Sequence, residues 1–147
     1  MSLIQLIYAS RPFGFDDLAL TGILATARRN NIRDGITGAL ICREDLFMQM
    51  LEGTGDVVNA AFDRIKRDDR HTDISEVSTA EIETRMFPQW AMRHDPAASW
   101  MWSRDEVSAG AVEHATPSDI HAIFARLATE PPAVLQTCPM SGSAPVA

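Results

Sequence analysis

The sequence predicts a single α+β domain, and three observations predict it. Apolar runs of strand length stand at residues 3–9, 35–42 and 46–53, the last two joined only by Arg43-Glu44-Asp45. Two amphipathic stretches of helical period follow the first and third runs. The 147 residues are 46% hydrophobic and 22% charged, the balance of one ordinary globular unit.

Leu3 to Ala9, LIQLIYA, closes at Ser10-Arg11-Pro12 and reads as a buried strand. Asp16 and Asp17 put carboxylates in a first helical turn, and Leu20, Ile23, Leu24, Ala27 and Asn31 recur at helical spacing. The first helix is therefore expected over about 16–30, with Asn30-Asn31 and Gly35 closing it. GITGALIC and LFMQMLEG form a hairpin. Thr54 caps a second helix with Val57, Val58, Ala61, Phe62 and Ile65 on one side, ending in the charged patch 66–71. Extended segments are expected at 74–81 and 85–93, the second an edge or irregular strand because Pro88 interrupts it.

The order β-α-β-β-α-β with an added strand is that of the split βαβ, ferredoxin-like fold, an antiparallel or mixed sheet with two helices on one face. Residues 1–94 form this unit. Asp95 to Ser99 reads as a linker, and Trp100, Met101 and Trp102 as apolar side chains outside regular structure. Thr116-Pro117-Ser118-Asp119 starts an accessory helix with the apolar stripe Ile120, Ile123, Phe124 and Leu127, which covers the other sheet face or meets a partner. Residues 95–130 are thus linker and helix. The last 17 residues, 131–147, carry four prolines and no charge and read as a flexible tail.

Thirteen basic against twenty acidic residues leave a net charge of −7, the wrong sign for a nucleic-acid partner. No apolar run approaches the roughly 20 residues that span a bilayer, and no leader precedes the first strand, so a cytoplasmic protein off the membrane is expected. Cys42 and Cys138 read as free thiols. No phosphate-binding glycine loop, C-x-x-C or G-x-S-x-G occurs, and the four histidines have no metal-ligand spacing. Nothing suggests an enzyme or a metal site.

Certain polar groups stand among apolar neighbours. Alternation puts Gln49 on the face of Phe47 and Leu51, and Tyr8, the only tyrosine, shares a face with Leu6 and Ile4. A core amide satisfied by backbone and a core tyrosine are the structural readings. Asn31 falls on the inward stripe of the first helix, where helix capping is the structural reading. Arg64 and Asp68 stand at i, i+4, the spacing of an ordinary solvated pair.

LIYAS, L-x-x-I-L-x-x-A-R-x-N-N, GITGAL, F-x-Q-x-LEG, I-x-R-D-x-R-H and R-x-F-x-x-W-x-M follow one another from Leu3 to Met92. In that order the set resembles the BLUF family of blue-light receptors, which hold flavin between the two helices of a ferredoxin-like sheet. The resemblance implies a short stand-alone photoreceptor carrying FAD, with FMN the alternative. It makes Tyr8 the donor of an electron and a proton to excited flavin. Gln49 becomes the bridge from that hydroxyl to the N5/C4=O edge, and Asn31, with Asn30 assisting, fixes the C2=O/C4=O side. Ile23 and Ile65 match the aliphatic pair that sandwiches the ring. Arg28, Arg64, Asp68, Arg70 and His71 match contacts to the ring edge, ribityl chain or phosphate, and Trp90 and Met92 the signalling residues of the last strand. A carboxamide suits such a switch because either of its ends can face the flavin edge without adding charge.

Nothing after residue 94 resembles an output enzyme, so the implied signal leaves through a protein partner or a change of homo-oligomer. A light-independent flavin or small-molecule module, and an adaptor of the same fold that has lost flavin, are the competing readings.

Overall fold

The computed structural model describes residues 2–12, 17–43, 45–68, 71–96 and 101–130. In chain order these form β1 (Leu3–Pro12), α1 (Asp17–Asp34), β2 (Thr37–Arg43), β3 (Leu46–Thr54), α2 (Gly55–Lys66), β4 (His71–Ile82), β5 (Arg93–Pro96), α3 (Arg104–Ser108), α4 (Ala111–His114) and α5 (Pro117–Ala128). The tail 131–147 and Cys138 lie outside the described residues.

The sheet runs β4-β1-β3-β2-β5, with β1 and β3 adjacent at its centre. All pairings are antiparallel except β2 with β5. This is the split βαβ order with one strand added at the β2 edge. Alternation divides the side chains between two cores. Leu6, Tyr8, Leu40, Phe47 and Leu51 meet Leu24 of α1 and Val58, Ala61 and Phe62 of α2 on one face. On the other, Ile7, Ala39, Ile41, Met48 and Met50 meet Ile120, Phe124 and Leu127 of α5. The accessory helix therefore covers the second face of this chain's own sheet. Thr116 and Asp119 close a reciprocal capping box at its start. Each of its three buried apolar side chains contributes about 1.5–3 kcal/mol.

Several expectations are corrected. Helix α1 runs four residues past Asn30, to Asp34. Its end is Gly35 at φ +71, where the left-handed conformation favours glycine and Ile36 N–H reaches back to the Asn31 carbonyl at 2.9 Å. Asn30 and Asn31 thus sit inside the helix and do not cap it. Thr54 occupies the N-cap position of α2, but its side chain accepts from no helix amide; its hydroxyl donates to Asp56 Oδ1 at 2.7 Å.

Residues 85–92 are not a strand. Met86 and Phe87 give their amide protons to the Glu52 carboxylate, Pro88 has none, and Trp90 N–H turns back to the Phe87 carbonyl. Only Arg93–Pro96 pairs, parallel to β2, so Asp95 and Pro96 belong to β5 and not to a linker. Trp90 and Met92 accordingly precede the last strand. Trp100 lies outside the described residues, whereas Met101 is buried in the second core with Trp102 against it. The short α3 follows directly, its Ser103–Glu106 capping box missed in the sequence. At Gly38 a β-carbon would stand 1.9 Å from the Met50 carbonyl oxygen, so only glycine permits this approach of β2 to β3.

Candidate functional site

The centre of the sheet places Tyr8 directly opposite Gln49. Both are buried, and the Tyr8 hydroxyl donates to Gln49 Oε1. The other end of the amide, Nε2, donates to Met92 Sδ at 3.4 Å. A thioether can only accept, so Met92 fixes which end of the amide meets the phenol. The Tyr8 ring packs on Phe62 of α2, centroids 5.4 Å apart at 36°. Burial, and secondarily the negative charge of Asp68, push the Tyr8 phenol well above the ordinary tyrosine range. It is a neutral hydrogen-bond donor at any physiological pH.

Above this pair, between α1, α2 and the sheet, lies a cavity of about 150 Å³. Ile23 of α1 and Ile65 of α2 line it, with Leu40 and Phe47 from the sheet. Its polar residues are Tyr8, Thr26, Asn30, Asn31, Gln49, Arg64 and Asp68. Asn31 is held by donation from Nδ2 to the Ala91 carbonyl at 2.6 Å. Asp34 on α1 takes the Arg64 guanidinium at 3.3 Å, an ion pair between the helices and not the expected one along α2.

Arg28 does not line the cavity. Its Nε and Nη2 donate to the Met92 carbonyl at 3.1 and 3.0 Å, and burial lowers its pKa. Arg28, Asn31 and Gln49 thereby converge on Ala91–Met92, the segment entering β5. Met92 lies buried in the core beneath the cavity, while Trp90 is half-buried and packs in the core of the opposite face. Arg70 and the side chain of His71 lie outside the described residues. The sequence reading missed Phe62 as the neighbour of Tyr8 and the part taken by the Ala91 carbonyl. A backbone acceptor has no signature in sequence; Phe62 is visible there only as part of an apolar stripe.

A larger cavity, of about 220 Å³, lies on the other face beneath α4 and the start of α5, where the Arg11–Glu113 ion pair spans 3.0 Å. It has no side-chain amide, whereas the smaller one has isoleucines from both helices and three amides in its lining. A flavin ring is a flat apolar body whose edge offers acceptors and one donor, and the donor set of the smaller cavity fits it. No group of three His, Cys, Asp or Glu among the described residues has the geometry of a metal site. Cys42 is buried with Sγ 3.2 Å from His94 Nε2.

Residues 3–93 match the BLUF family pattern, described as sensors of blue-light using FAD. The photoactivated adenylate cyclase subunit beta of Euglena gracilis is 38% identical over 92 residues, which are 62% of this chain and 10% of that protein. The chain thus spans about a tenth of the curated relatives it matches. Among solved structures, the dark state of the BLUF protein BlrB is 30% identical with a TM-score of 0.72, covering 87% of this chain and 96% of that one. The ground state of BlsA is 26% identical with a TM-score of 0.77, covering 90% and 91%. The three amides and the tyrosine lining the helix-walled cavity, the split βαβ sheet and these matches agree: the chain belongs to the BLUF family, blue-light sensors that use FAD.

Proposed function

We propose that residues 1–94 are the light-sensing unit, with flavin, as FAD, held between α1 and α2, and that the Tyr8–Gln49 hydrogen bond is the switch. Ile23 and Ile65 would clamp the ring, Asn30, Asn31 and Gln49 would face its edge, and Arg64 and Asp68 the outer rim. Flavin, when bound, supplies the absorption of blue light and a strongly oxidising excited state. The observation that carries the reading is the buried phenol donating to a carboxamide at the wall of that cavity.

Tyr8 keeps its proton in the dark because burial disfavours the phenolate. A phenol that has lost an electron becomes a strong acid, and the proton then has an acceptor in line at Gln49 Oε1. Turning the amide end for end then breaks the bond from Nε2 to Met92 Sδ. Aliphatic Ile23 and Ile65 cannot compete as electron donors, which leaves Tyr8 as the near one. The light-dependent change thus reaches Met92 and the 85–92 segment first. From there it passes to the accessory region 95–130, and outward by contact to a partner protein or a second copy. We place the protein in the cytoplasm; no helix among the described residues is long and apolar enough to cross a membrane.

A visible spectrum of the purified protein tests the proposal. A yellow protein whose flavin band moves slightly to the red under blue light and returns in darkness is the expected result. A yellow protein without that shift is a light-independent flavoprotein, and a colourless one is an adaptor; either outcome overturns the reading.

A further inference from the structure

Glu52 is the one fully buried carboxylate among the described residues, at 0% exposure in the strand that carries Gln49. Alternation sends it to the face opposite the cavity, where its carboxylate forms no ion pair among the described residues and takes four donors instead. Gln5 Nε2 reaches its Oε2 at 3.2 Å and Thr37 Oγ1 its Oε1 at 3.4 Å. The other two are backbone amides of consecutive residues, Met86 N at 2.6 Å and Phe87 N at 2.9 Å, one to each oxygen. Arg85 secures the same stretch by donating from Nη1 to Thr37 Oγ1 and to the Glu52 carbonyl, at 3.0 and 3.1 Å.

Five residues further on, the same segment supplies Ala91 O to Asn31, Met92 O to Arg28 and Met92 Sδ to Gln49. Between these points Trp90 O accepts from Gly38 N at 3.1 Å. Phe87 packs edge-on against Phe124 of α5, centroids 6.5 Å apart at 83°. One stretch of chain thus touches the Gln49 amide at one end and α5 at the other, and Glu52 is the carboxylate that grips it between them.

We propose that Glu52 is a positioning residue for the photochemical site: it clamps the Met86 and Phe87 amides so that Met92 is held against Gln49. A carboxylate is required because both oxygens must accept. A glutamine there offers one oxygen and turns an N–H toward a second N–H, leaving one buried amide without an acceptor. The clamp itself is independent of the proposed function; its effect on the light response rests on that reading.

The test uses Glu52→Gln in the full flavin-loaded chain, with two readouts. Backbone hydrogen exchange in the dark should accelerate about tenfold at residues 86, 87 and 92, local opening being easier once an amide loses its acceptor. Dark recovery of the red-shifted state should change by about fivefold while flavin remains bound. Gln5→Leu, which removes a donor but leaves the clamp on the segment, should keep both within about twofold. If Glu52→Gln does not fold, Arg85→Gln loosens the start of the same segment from a half-buried position and should move both readouts in the same direction by about two- to threefold. A melting temperature that falls while exchange at 86–92 and recovery of the folded protein stay at wild-type values makes Glu52 merely structural and overturns the proposal. A wild-type protein without any light-induced shift would remove the proposed function instead, and the exchange result would still decide the clamp.

Discussion

Tyr8 and Gln49 are direct cross-strand partners in the central β1–β3 ladder, and the phenol of one donates to the amide oxygen of the other on the cavity side of the sheet. Neither side chain is free to face elsewhere, since a one-residue slip of its strand would turn it into the opposite core. The pair is therefore held in the central ladder of the sheet.

Removing the donor alone should separate binding from response. Tyr8→Phe keeps the ring that packs on Phe62 and deletes only the hydroxyl. Flavin content after purification should match wild type, and the red-shifted state should not form. A normal photocycle in this variant would remove Tyr8 from the mechanism.

The elevated Tyr8 pKa has a stability consequence that alkaline titration can read. Tyrosine ionises near 10 in an unfolded chain, and burial holds it protonated well above that in the fold. Above pH 10 the unfolded state therefore binds fewer protons than the native one. Stability linked to this group is fully present below pH 10 and is lost progressively as pH rises beyond it. With a single tyrosine in the chain, the tyrosinate band, blanked against Tyr8→Phe, reports this group alone. It should be absent from the native protein at pH 10–11 and appear on unfolding in urea. A native titration centred near pH 10 would show the phenol to be solvated.

Phe124 is wholly buried against the second face of the sheet. Phe124→Ala should cost about 3–5 kcal/mol of unfolding free energy, read by chemical denaturation. Truncation before Thr116 exposes Ile41, Met48 and Met50 and should lower the melting temperature or raise oligomer mass. Unchanged stability and size would make α5 a passive appendage.

The central ladder was legible because period-two alternation and a three-residue turn specify register locally. The helices were legible from their stripes, and the aromatic, amide and aliphatic residues of the cavity from the resemblance. Segment 85–92 was not, because its amide protons go to a side chain 34 residues away and no local pattern records that. The signal available was a lone carboxylate, Glu52, inside the mostly apolar run LFMQMLEG. The Arg28 contact was illegible for a related reason: it goes to a backbone carbonyl, that of Met92, which any residue at that position would offer. Whether Met92 or Trp90 turns toward Gln49 depends on packing across both sheet faces, and the structure puts Met92 there.

The measurement closest to the core of this account is the light-minus-dark infrared spectrum of Gln49→Leu. Leucine keeps the bulk of the side chain and deletes both ends of the amide, so binding through the helix walls and Asn31 should survive. Wild type should show a light-induced downshift of the flavin C4=O stretch, the mark of a new hydrogen bond to that carbonyl. The account predicts that Gln49→Leu, still yellow, shows none and gives no red-shifted band. A downshift of wild-type size that recovers in darkness would contradict it and assign the switch to another side chain.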